Sequence, residues 1–274
     1  MGIKSIARSI VPASAWNHLR RIKGQWVARQ FQERRIQAVF HGFKLDLNIA
    51  DPMSFDWYSP GMSNYTEISL LQSGKLKPGA CVYDIGAHQG VVALVLSRIV
   101  GEKGHAVAVE ANPFHARMAE KNVVSNDAKN LTVVRSAVAD KPGTMRFSDD
   151  WGGQSPDALG VDVDVITLDS LTEKFGVPDV VFIDVEGFEQ KVLEGGAKTL
   201  AAAPDLFIEM HLDGQIQEQG GSLSQVLSHL SLDRYTLFGL DPHLEKTPEG
   251  MTPVPLAEAS FTDRRFFLIA RAKA

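Results

Sequence analysis

Residues 82–90 read VYDIGAHQG, and this stretch decides the expected fold. An apolar run ends in Asp84, and then Gly86 and Gly90 bracket the three residues that precede the next apolar run. Because glycine can turn where a side chain would clash, the pattern is typical of a buried strand, a tight turn and a helix start. In open parallel sheets, such turns lie at the carboxyl ends of the strands, where ligands bind.

From Ala80 onward, strand-like segments alternate with helix-like segments, and the strand candidates are apolar throughout. Strands of this kind are buried on both faces, as parallel strands are. The chain is therefore expected to form an α/β fold with a mostly parallel sheet. The closing strand candidates, in DRYTLFGL and RRFFLIARA, are expected to pair at the edge of that sheet.

The chain is expected to divide into a basic helical extension at 1–45 and a main domain at 46–274. Up to Arg35, eight Lys and Arg residues accompany one Glu, so this segment carries +7. Because the net charge of the chain is −5, the remaining residues carry −12. Its apolar spacing suits either packing on the core or contact with a membrane surface or an anionic glycan. Strand-like residues follow at 37–49. A hairpin or lid-like insertion with two Gly-rich bends is expected near 141–162.

Composition excludes several classes of protein. The 274 residues are 44% apolar, which is enough for one sizeable core. Cys81 is the only cysteine, so neither an intrachain disulfide nor a multi-cysteine zinc site can form. The sequence shows no apolar run of about 20 residues and no convincing signal peptide. We expect a cytoplasmic protein, or one peripheral to a membrane, without a nucleic-acid partner. The oligomeric state stays open.

The glycine turn and a later acid together predict the ligand. Glu110 ends the second strand candidate about 20 residues after the glycines, the spacing of an acid that binds ribose hydroxyls. The start of the helix that Gly90 opens favours an anion, and Asp84 suits a cation. A nucleoside that carries an amino acid, such as S-adenosylmethionine, has all three parts. A dinucleotide is the competitor, but it favours G-x-G-x-x-G and the spacing here is G-x-x-x-G.

A second group of polar residues follows the fourth and fifth strand candidates. Asp184 and Glu186 follow the fourth, while Glu209 and His211 lie two apart on one face of the fifth. Glu189, three residues after Glu186, is expected to face the same crevice from one helical turn. These side chains could bind a metal, yet carboxylates around a sulfonium need none, so no metal is expected. The absence of G-x-S-x-G argues against a serine hydrolase.

The chain resembles the FkbM-type S-adenosylmethionine-dependent methyltransferases. The resemblance runs from about Tyr65 to Glu209 and rests on several motifs in order: VYDIGAHQG, AVEANP, SAVADKPGTMRF, ITLDSL, FIDVEGFEQKVLEGG and LFIEMH. It implies a Rossmann-like class I methyltransferase fold with a mostly parallel seven-stranded sheet, flanked by helices, and an N-terminal helical or strand extension. It also implies transfer of a methyl group to a hydroxyl of a sugar, a glycolipid or polysaccharide, or a natural product.

The resemblance further implies roles for individual residues. Asp184 is expected where donor and acceptor meet, and Glu67, before the first strand, is expected to touch the donor. The remaining donor residues are assigned to the methionine end (Asp84, Gly86, Ala87, His88, Gly90), the ribose (Glu110, Asn112) and the adenine (Ser136, Ala137). His88 replaces an Asn that members usually carry, and Phe182 replaces a Lys.

Methyl transfer to a hydroxyl requires an aligned acceptor and a base that removes its proton. The sequence leaves His211 and Glu186 as candidate bases, with Asp184 orienting the acceptor. Three aromatic residues, Trp57, Tyr58 and Trp151, are candidates for stacking on a sugar face. Two alternatives of other classes remain: an NAD(P)-dependent oxidoreductase and a non-catalytic binding protein on the same fold.

Overall fold

The computed structural model describes residues 31–58, 66–147, 160–240, 252–253 and 265–273. The expected basic helix before residue 31 lies outside these ranges, and so does Trp151 at the centre of the expected lid. Within the described ranges, no helix is long and apolar enough to cross a membrane.

The strands are numbered along the chain as β1 (Arg34–Phe40), β2 (Phe43–Ile49), β3 (Cys81–Ile85), β4 (His105–Glu110), β5 (Leu131–Arg135), β6 (Ala137–Val138), β7 (Gly143–Phe147), β8 (Val161–Ile166), β9 (Val180–Ile183), β10 (Asp205–His211), β11 (Tyr235–Leu240), β12 (Thr252–Pro253) and β13 (Arg265–Ala272). The helices are α1 (Pro52–Tyr58), α2 (Thr66–Gln72), α3 (Val91–Val100), α4 (Pro113–Ser125), α5 (Leu168–Phe175), α6 (Glu189–Glu194), α7 (Ala197–Ala201), α8 (Gln215–Glu218) and α9 (Leu223–Ser228).

The central sheet has the order β12-β11-β13-β10-β9-β3-β4-β5. Five of its strands, from β10 to β5 in that order, are parallel neighbours. Apart from the edge strand β5, they carry apolar residues that are buried on both faces. Apart from the two-residue β12, the sheet has seven strands flanked by helices, so the expected class I methyltransferase fold is confirmed. The strand order reverses between β3 and β9, and this switch point brings the segments after the two strands together.

The closing strands pair with each other beyond β10, at the edge of the parallel part of the sheet, as expected. Within this addition, β13 lies next to β10 and is antiparallel to both β10 and β11. Its central residues Phe266, Leu268, Ile269 and Ala270 are fully buried. Consecutive buried residues show that both faces of this strand are covered. The sequence left open which of the two closing strands lies next to the parallel strands.

An N-terminal hairpin packs directly on the main core. β1 and β2 pair antiparallel across a turn at His41 and Gly42, so the strand-like stretch predicted at 37–49 is part of a hairpin. The boundary expected after residue 45 falls inside β2. Leu45, Leu47 and Ile49 are fully buried in the core cluster that also contains residues of α3 and β3. The Asn48 backbone N–H donates to Asn122 Oδ1 of α4 at 2.7 Å. The hairpin is thus tied to the helix that follows β4.

A small sheet lies beside the central one in the order β6-β8-β7. β7 and β8 form an antiparallel pair from Gly143↔Val165 to Phe147↔Val161, which matches the hairpin predicted near 141–162. Residues 148–159, between the two strands, lie outside the described ranges. The role of this segment as a lid stays a prediction.

Candidate active site

The loops after β3 and β9 are in close contact at the switch point. The Asp184 N–H donates to the carbonyl oxygen of Ile85 at 2.9 Å. Gly86 has φ +92°, and a Cβ placed there would lie 1.7 Å from the Asp184 carbonyl oxygen. Only glycine fits this position, since it alone combines a free choice of φ with no side chain. The loop after β3 therefore lies against Asp184, the residue that follows β9.

Backbone hydrogen bonds fix the loop between Gly86 and Gly90. The N–H groups of Gly86 and Ala87 both donate to the carbonyl oxygen of Val109, at 2.9 and 3.0 Å. Gly90, at φ +78°, is the N-cap of α3, and no side chain of the described residues caps that helix. The first-turn N–H groups of an uncapped helix favour an anion. The helix start is thus suited to the carboxylate of an amino-acid ligand.

Glu110 lies behind this loop, and both of its carboxylate oxygens accept backbone hydrogen bonds. Oε2 accepts from the His88 N–H at 2.6 Å and Oε1 accepts from the Asn112 N–H at 2.7 Å. Burial raises the pKa of Glu110 to about 7, although the backbone hydrogen bonds of Asn112, His88 and Ala111 lower it in part. Each oxygen retains a lone pair, so the carboxylate is anchored and can still accept from a ribose hydroxyl.

Asp84 is buried beside the loop, and its Oδ2 has no hydrogen-bond partner among the described residues. Burial, together with the nearby charge of Glu110, raises its pKa to about 7, against a backbone hydrogen bond from Ala93 that lowers it. An unpartnered buried carboxylate oxygen is costly unless a ligand completes it. An ammonium group would supply both the missing donor and the missing charge. The residues at this end of the sheet therefore fit the amino-acid part of S-adenosylmethionine.

His88 lies in an aromatic surrounding. It has φ +52°, its Nδ1 lies 3.4 Å from the Tyr58 hydroxyl, and its ring centroid lies 5.6 Å from that of Trp57 and 4.0 Å from that of His115. Burial lowers the pKa of His88 to about 4, against the charges of Asp51 and Glu186, so the imidazole is neutral at pH 7. Two of the three predicted aromatic residues are thus placed at the donor loop.

Three of the predicted catalytic residues come together beyond β9 and β10. The His211 Nε2 lies 3.7 Å from Asp184 Oδ1 and 3.4 Å from Glu186 Oε2. Glu209 Oε1 lies 3.7 Å from the same nitrogen, so the prediction that Glu209 and His211 share a face is confirmed. His211 is fully buried, which excludes a surface histidine. We call Asp184, Glu186 and His211 the acidic triad.

Glu189 lies behind the triad rather than beside Glu186. Glu186 precedes α6 in a turn with φ +51°, whereas Glu189 opens the helix and is fully buried. The expectation that both acids face the crevice from one helical turn is wrong, because the left-handed turn points them apart. Glu189 Oε1 lies 2.6 Å from His211 Nδ1 and also accepts from the Gly187 N–H at 3.0 Å.

The acids shift the proton affinities of the triad strongly. Burial lowers the pKa of His211, but the hydrogen bond and charge of Glu189, with the charges of Glu186 and Asp184, outweigh it and raise this pKa to about 9. Burial raises the pKa of Asp184 well above its usual value, and the charge of Glu209 raises it further. Groups this close titrate as a set rather than singly.

Sequence reasoning missed one contributor, Arg265 at the start of β13. Its register partner is His211, and its guanidinium lies 3.2 Å from Glu186 Oε2 and 3.1 Å from Asp213 Oδ2. Arg265 is also 3.7 Å from Glu209 Oε1. Arg265 lies far along the chain from these acids, and its neighbours depend on the insertion of β13 beside β10. No local motif could have indicated them.

The other predicted donor residues lie near Glu110 or outside the description. The Ser136 N–H donates to the Glu110 carbonyl oxygen at 3.1 Å, and both Ser136 and Ala137 are buried there. Asn112 Oδ1 caps α4 by accepting from the Phe114 N–H at 2.8 Å. Glu67 belongs to α2, but its side chain lies outside the described part of the structure. Contact of these residues with the donor stays a prediction.

Solved structures with a related fold are distant in sequence. They include a precorrin-6y C5,15-methyltransferase from Geobacter metallireducens (15% identity, 75% of this chain and 87% of that chain, TM-score 0.42) and a putative rRNA-methylase from Clostridium thermocellum (10%, 75% and 95%, 0.47). A SAM-dependent O-methyltransferase from Thermotoga maritima shows 15% identity over 88% of this chain and 78% of its own, with a TM-score of 0.45. These likenesses are too distant to carry an argument about activity. No curated protein matches the chain.

The family comparison is specific. The model of the methyltransferase FkbM domain matches residues 84–235. The matched segment starts at Asp84 and includes Glu110 and the whole acidic triad, and it spans more than half of the 274 residues. The chain therefore belongs to the FkbM family of S-adenosylmethionine-dependent methyltransferases.

Proposed function

We propose that the protein methylates a hydroxyl oxygen of a sugar, of a glycolipid or polysaccharide, or of a natural product. The observation that carries this proposal is the acidic triad at the switch point. Its carboxylates can accept hydrogen bonds from hydroxyl groups, and its buried imidazole presents Nε2 to the same space. A hydroxyl acceptor needs such a group, since it must lose its proton as the new bond forms.

The donor is bound against the Gly86–Gly90 loop in this proposal. Asp84 holds the ammonium group, the start of α3 holds the carboxylate, and Glu110 holds the ribose hydroxyls. S-Adenosylmethionine supplies an electrophilic methyl group on a positively charged sulfur. Because the Asp184 backbone contacts both Ile85 and the space of Gly86, the acceptor site and the donor loop are fixed relative to each other. Fixed alignment of this kind can supply much of the rate of a displacement.

The acceptor proton passes to the triad as a unit. His211 and Glu186 were the candidate bases from sequence, with Asp184 orienting the acceptor. The pKa of His211, near 9, makes the imidazolium its main form at neutral pH, so His211 alone is a poor base there. Glu186 has a more exposed carboxylate at 3.4 Å from Nε2 and can exchange the proton with it.

A sugar or other polyhydroxyl acceptor is favoured by the surroundings. Trp57 is 43% exposed and its ring lies beside His88 of the donor loop. Exposed aromatic faces next to carboxylates are the combination that carbohydrate sites use, since the ring covers the C–H face and the carboxylates accept from hydroxyl groups. A lone hydrophobic acceptor would not need so many acids.

The test combines donor binding with an acceptor panel. Calorimetry should show binding of S-adenosylhomocysteine and no binding of NADH. In the acceptor panel, methyl transfer should occur to polyhydroxyl compounds but not to amine or thiol analogues of the same size. Glu186→Gln should lower turnover at least tenfold and leave the Kd for S-adenosylhomocysteine within a factor of two. Transfer to nitrogen or sulfur acceptors at equal rates would overturn the proposal, as would full turnover of Glu186→Gln.

A further inference from the structure

The acidic triad has the geometry of a metal site. One oxygen each from Asp184 and Glu186 and the Nε2 of His211 all lie within 4.8 Å of one another. The two distances to Nε2 are 3.7 and 3.4 Å. Ligands at about 2.0–2.2 Å from a metal ion lie about 3.0–3.5 Å from each other, so only a small contraction is needed.

His211 is oriented as a metal-binding histidine is. Its Nδ1 is engaged by the fully buried Glu189 at 2.6 Å and by the Glu209 carbonyl oxygen at 3.1 Å. Its Nε2 is buried and has no hydrogen-bond partner among the described residues. A carboxylate that holds one ring nitrogen while the other faces outward is the usual second layer of a metal site. The imidazole is therefore fixed with one nitrogen directed at the two carboxylates.

The charges around the triad are not balanced. Five carboxylates lie on or next to it, and one guanidinium, that of Arg265, contacts three of them: Glu186, Glu209 and Asp213. Asp184 Oδ1 has no hydrogen-bond partner among the described residues. Within the same residues, His211 is the one cationic side chain that pairs with Asp184 or Glu189. Like charges this close in a recess repel, and a bound cation would relieve the repulsion.

We propose that Asp184, Glu186 and His211 bind one divalent metal ion. This differs from the expectation from sequence, where no metal was needed. Glu186 Oε2 can bind the ion and still accept from Arg265, because a carboxylate oxygen has two lone pairs. One imidazole and two carboxylates suit Mn²⁺ or Zn²⁺ better than Ca²⁺, which prefers oxygen ligands alone.

Three protein ligands leave coordination positions open for the substrate. If the protein methylates hydroxyl groups, as proposed above, the ion would hold the acceptor oxygen beside the donor and make its proton more acidic. Because the triad atoms would then bind the ion, the proton would pass to the carboxylate of Glu209, which lies 3.7 Å from His211 Nε2, as the methyl group leaves the sulfur for the oxygen. The catalytic part of this inference rests on the proposed function. Binding of the ion does not, so the two can fail separately.

The main experiment measures metal binding without turnover. The full chain is stripped with a chelator and titrated with Mn²⁺, and bound ion is followed by electron paramagnetic resonance. We expect one Mn²⁺ per chain, and Zn²⁺ should displace it. Glu186→Gln and His211→Ala should each weaken binding at least tenfold. Glu189→Gln should weaken it 10–100-fold, because it alters only the residue that orients His211.

A matched control separates this site from a second group of possible ligands. Asp51, His88 and His115 also lie within 4.8 Å of one another. That group has one carboxylate against the two of the acidic triad, so it offers less negative charge to a divalent cation. His115→Gln should therefore leave the Mn²⁺ affinity unchanged.

The outcomes are distinct. No Mn²⁺ or Zn²⁺ binding at millimolar concentration overturns the metal site, and so does unchanged affinity of a folded Glu186→Gln variant. Glu186 is partly exposed, so that variant should fold even if His211→Ala does not. Hydroxyl methylation that persists in a chelator contradicts the catalytic part alone. Metal binding without any hydroxyl methylation contradicts the proposed function and leaves the metal site standing.

Discussion

Glu189 Oε1 lies 2.6 Å from His211 Nδ1, and neither side chain is exposed to solvent. The pair joins the first residue of α6 to the last residue of β10, so it connects a helix start to the carboxyl edge of the sheet. Its burial means that each partner depends on the other, since an unpaired charge there would lose its solvation without compensation. The outward nitrogen of His211 is directed at Asp184 and Glu186 as a result.

Glu189→Ala should destabilise the protein strongly. Removing one partner of a buried ion pair costs about 3–5 kcal/mol, because the remaining group stays buried without its partner. Glu189→Gln keeps an oxygen that can accept from Nδ1 and should lose less. Urea denaturation of both variants measures the free energy of unfolding. Equal losses would show that the charge, which both variants remove, accounts for the whole effect, and that the side-chain volume and the acceptor retained by Gln do not contribute.

Asp84→Asn should stabilise the protein at pH 8 in the absence of ligand. The folded-state pKa of Asp84 is about 7 against 3.8 for the free group, so the folded state binds the proton more tightly. Its contribution to stability is present at low pH and is lost as pH rises through 7. Between pH 4 and 7, the free energy of unfolding of Asp84→Asn should therefore rise relative to that of the wild type, by up to about 4 kcal/mol. A constant difference across that range, measured by urea denaturation at each pH, would contradict this.

Donor affinity should fall as pH falls from 8 to 6. Asp84 and Glu110 both have a pKa of about 7 without ligand, and their ionised forms suit the ammonium group and the ribose hydroxyls. Protonation of each group should weaken S-adenosylhomocysteine binding by up to about tenfold over this interval, and protonation of both by up to about a hundredfold. Calorimetry at constant ionic strength measures the change. Asp84→Asn should bind more weakly and respond less to pH, and an equally steep response in that variant would exclude Asp84 as the cause.

Gly86→Ala should be far more damaging than Gly79→Ala. Both glycines have φ near +90°, so alanine is strained at either position, at a cost of about 1–2 kcal/mol. Only at Gly86 would the new Cβ meet the backbone, 1.7 Å from the Asp184 carbonyl oxygen, whereas nothing lies within 4 Å at Gly79. We expect Gly86→Ala to lose about 3 kcal/mol or more and to lose donor binding. Similar stabilities of the two variants in urea would contradict the close contact.

Asn122→Ala should loosen the N-terminal hairpin from the domain. Asn122 accepts from the Asn48 N–H at 2.7 Å and donates to the Gln89 carbonyl oxygen at 2.9 Å, and it is fully buried. Alanine would leave both backbone groups unsatisfied, at a cost of about 2–4 kcal/mol. Val124→Ala on the same helix, where the side chain is 80% exposed, should change stability by less than about 0.5 kcal/mol. In Asn122→Ala, and not in Val124→Ala, backbone hydrogen exchange should rise selectively in residues 43–49.

Local pattern was enough to predict the strands, the donor loop and the family. Apolar runs followed by Gly86 and Gly90 need no distant partner to be recognised, because burial on both faces and freedom of φ are properties of a short segment. The family comparison bears out the methyl donor over the dinucleotide. The position of Glu110 at the end of β4 follows from spacing alone.

Tertiary structure alone decided what surrounds the acids. The sequence placed Glu189 beside Glu186, but a left-handed turn at Glu186 directs Glu189 inward to His211. It also placed both closing strands at the sheet edge, but it could not show that β13 lies next to β10, and this position brings Arg265 to the triad. Pairing between segments far apart in the chain depends on the competition of all strands for neighbours, which no local pattern records. The sequence thus determined which chemical groups are present, and the packing determined which of them meet.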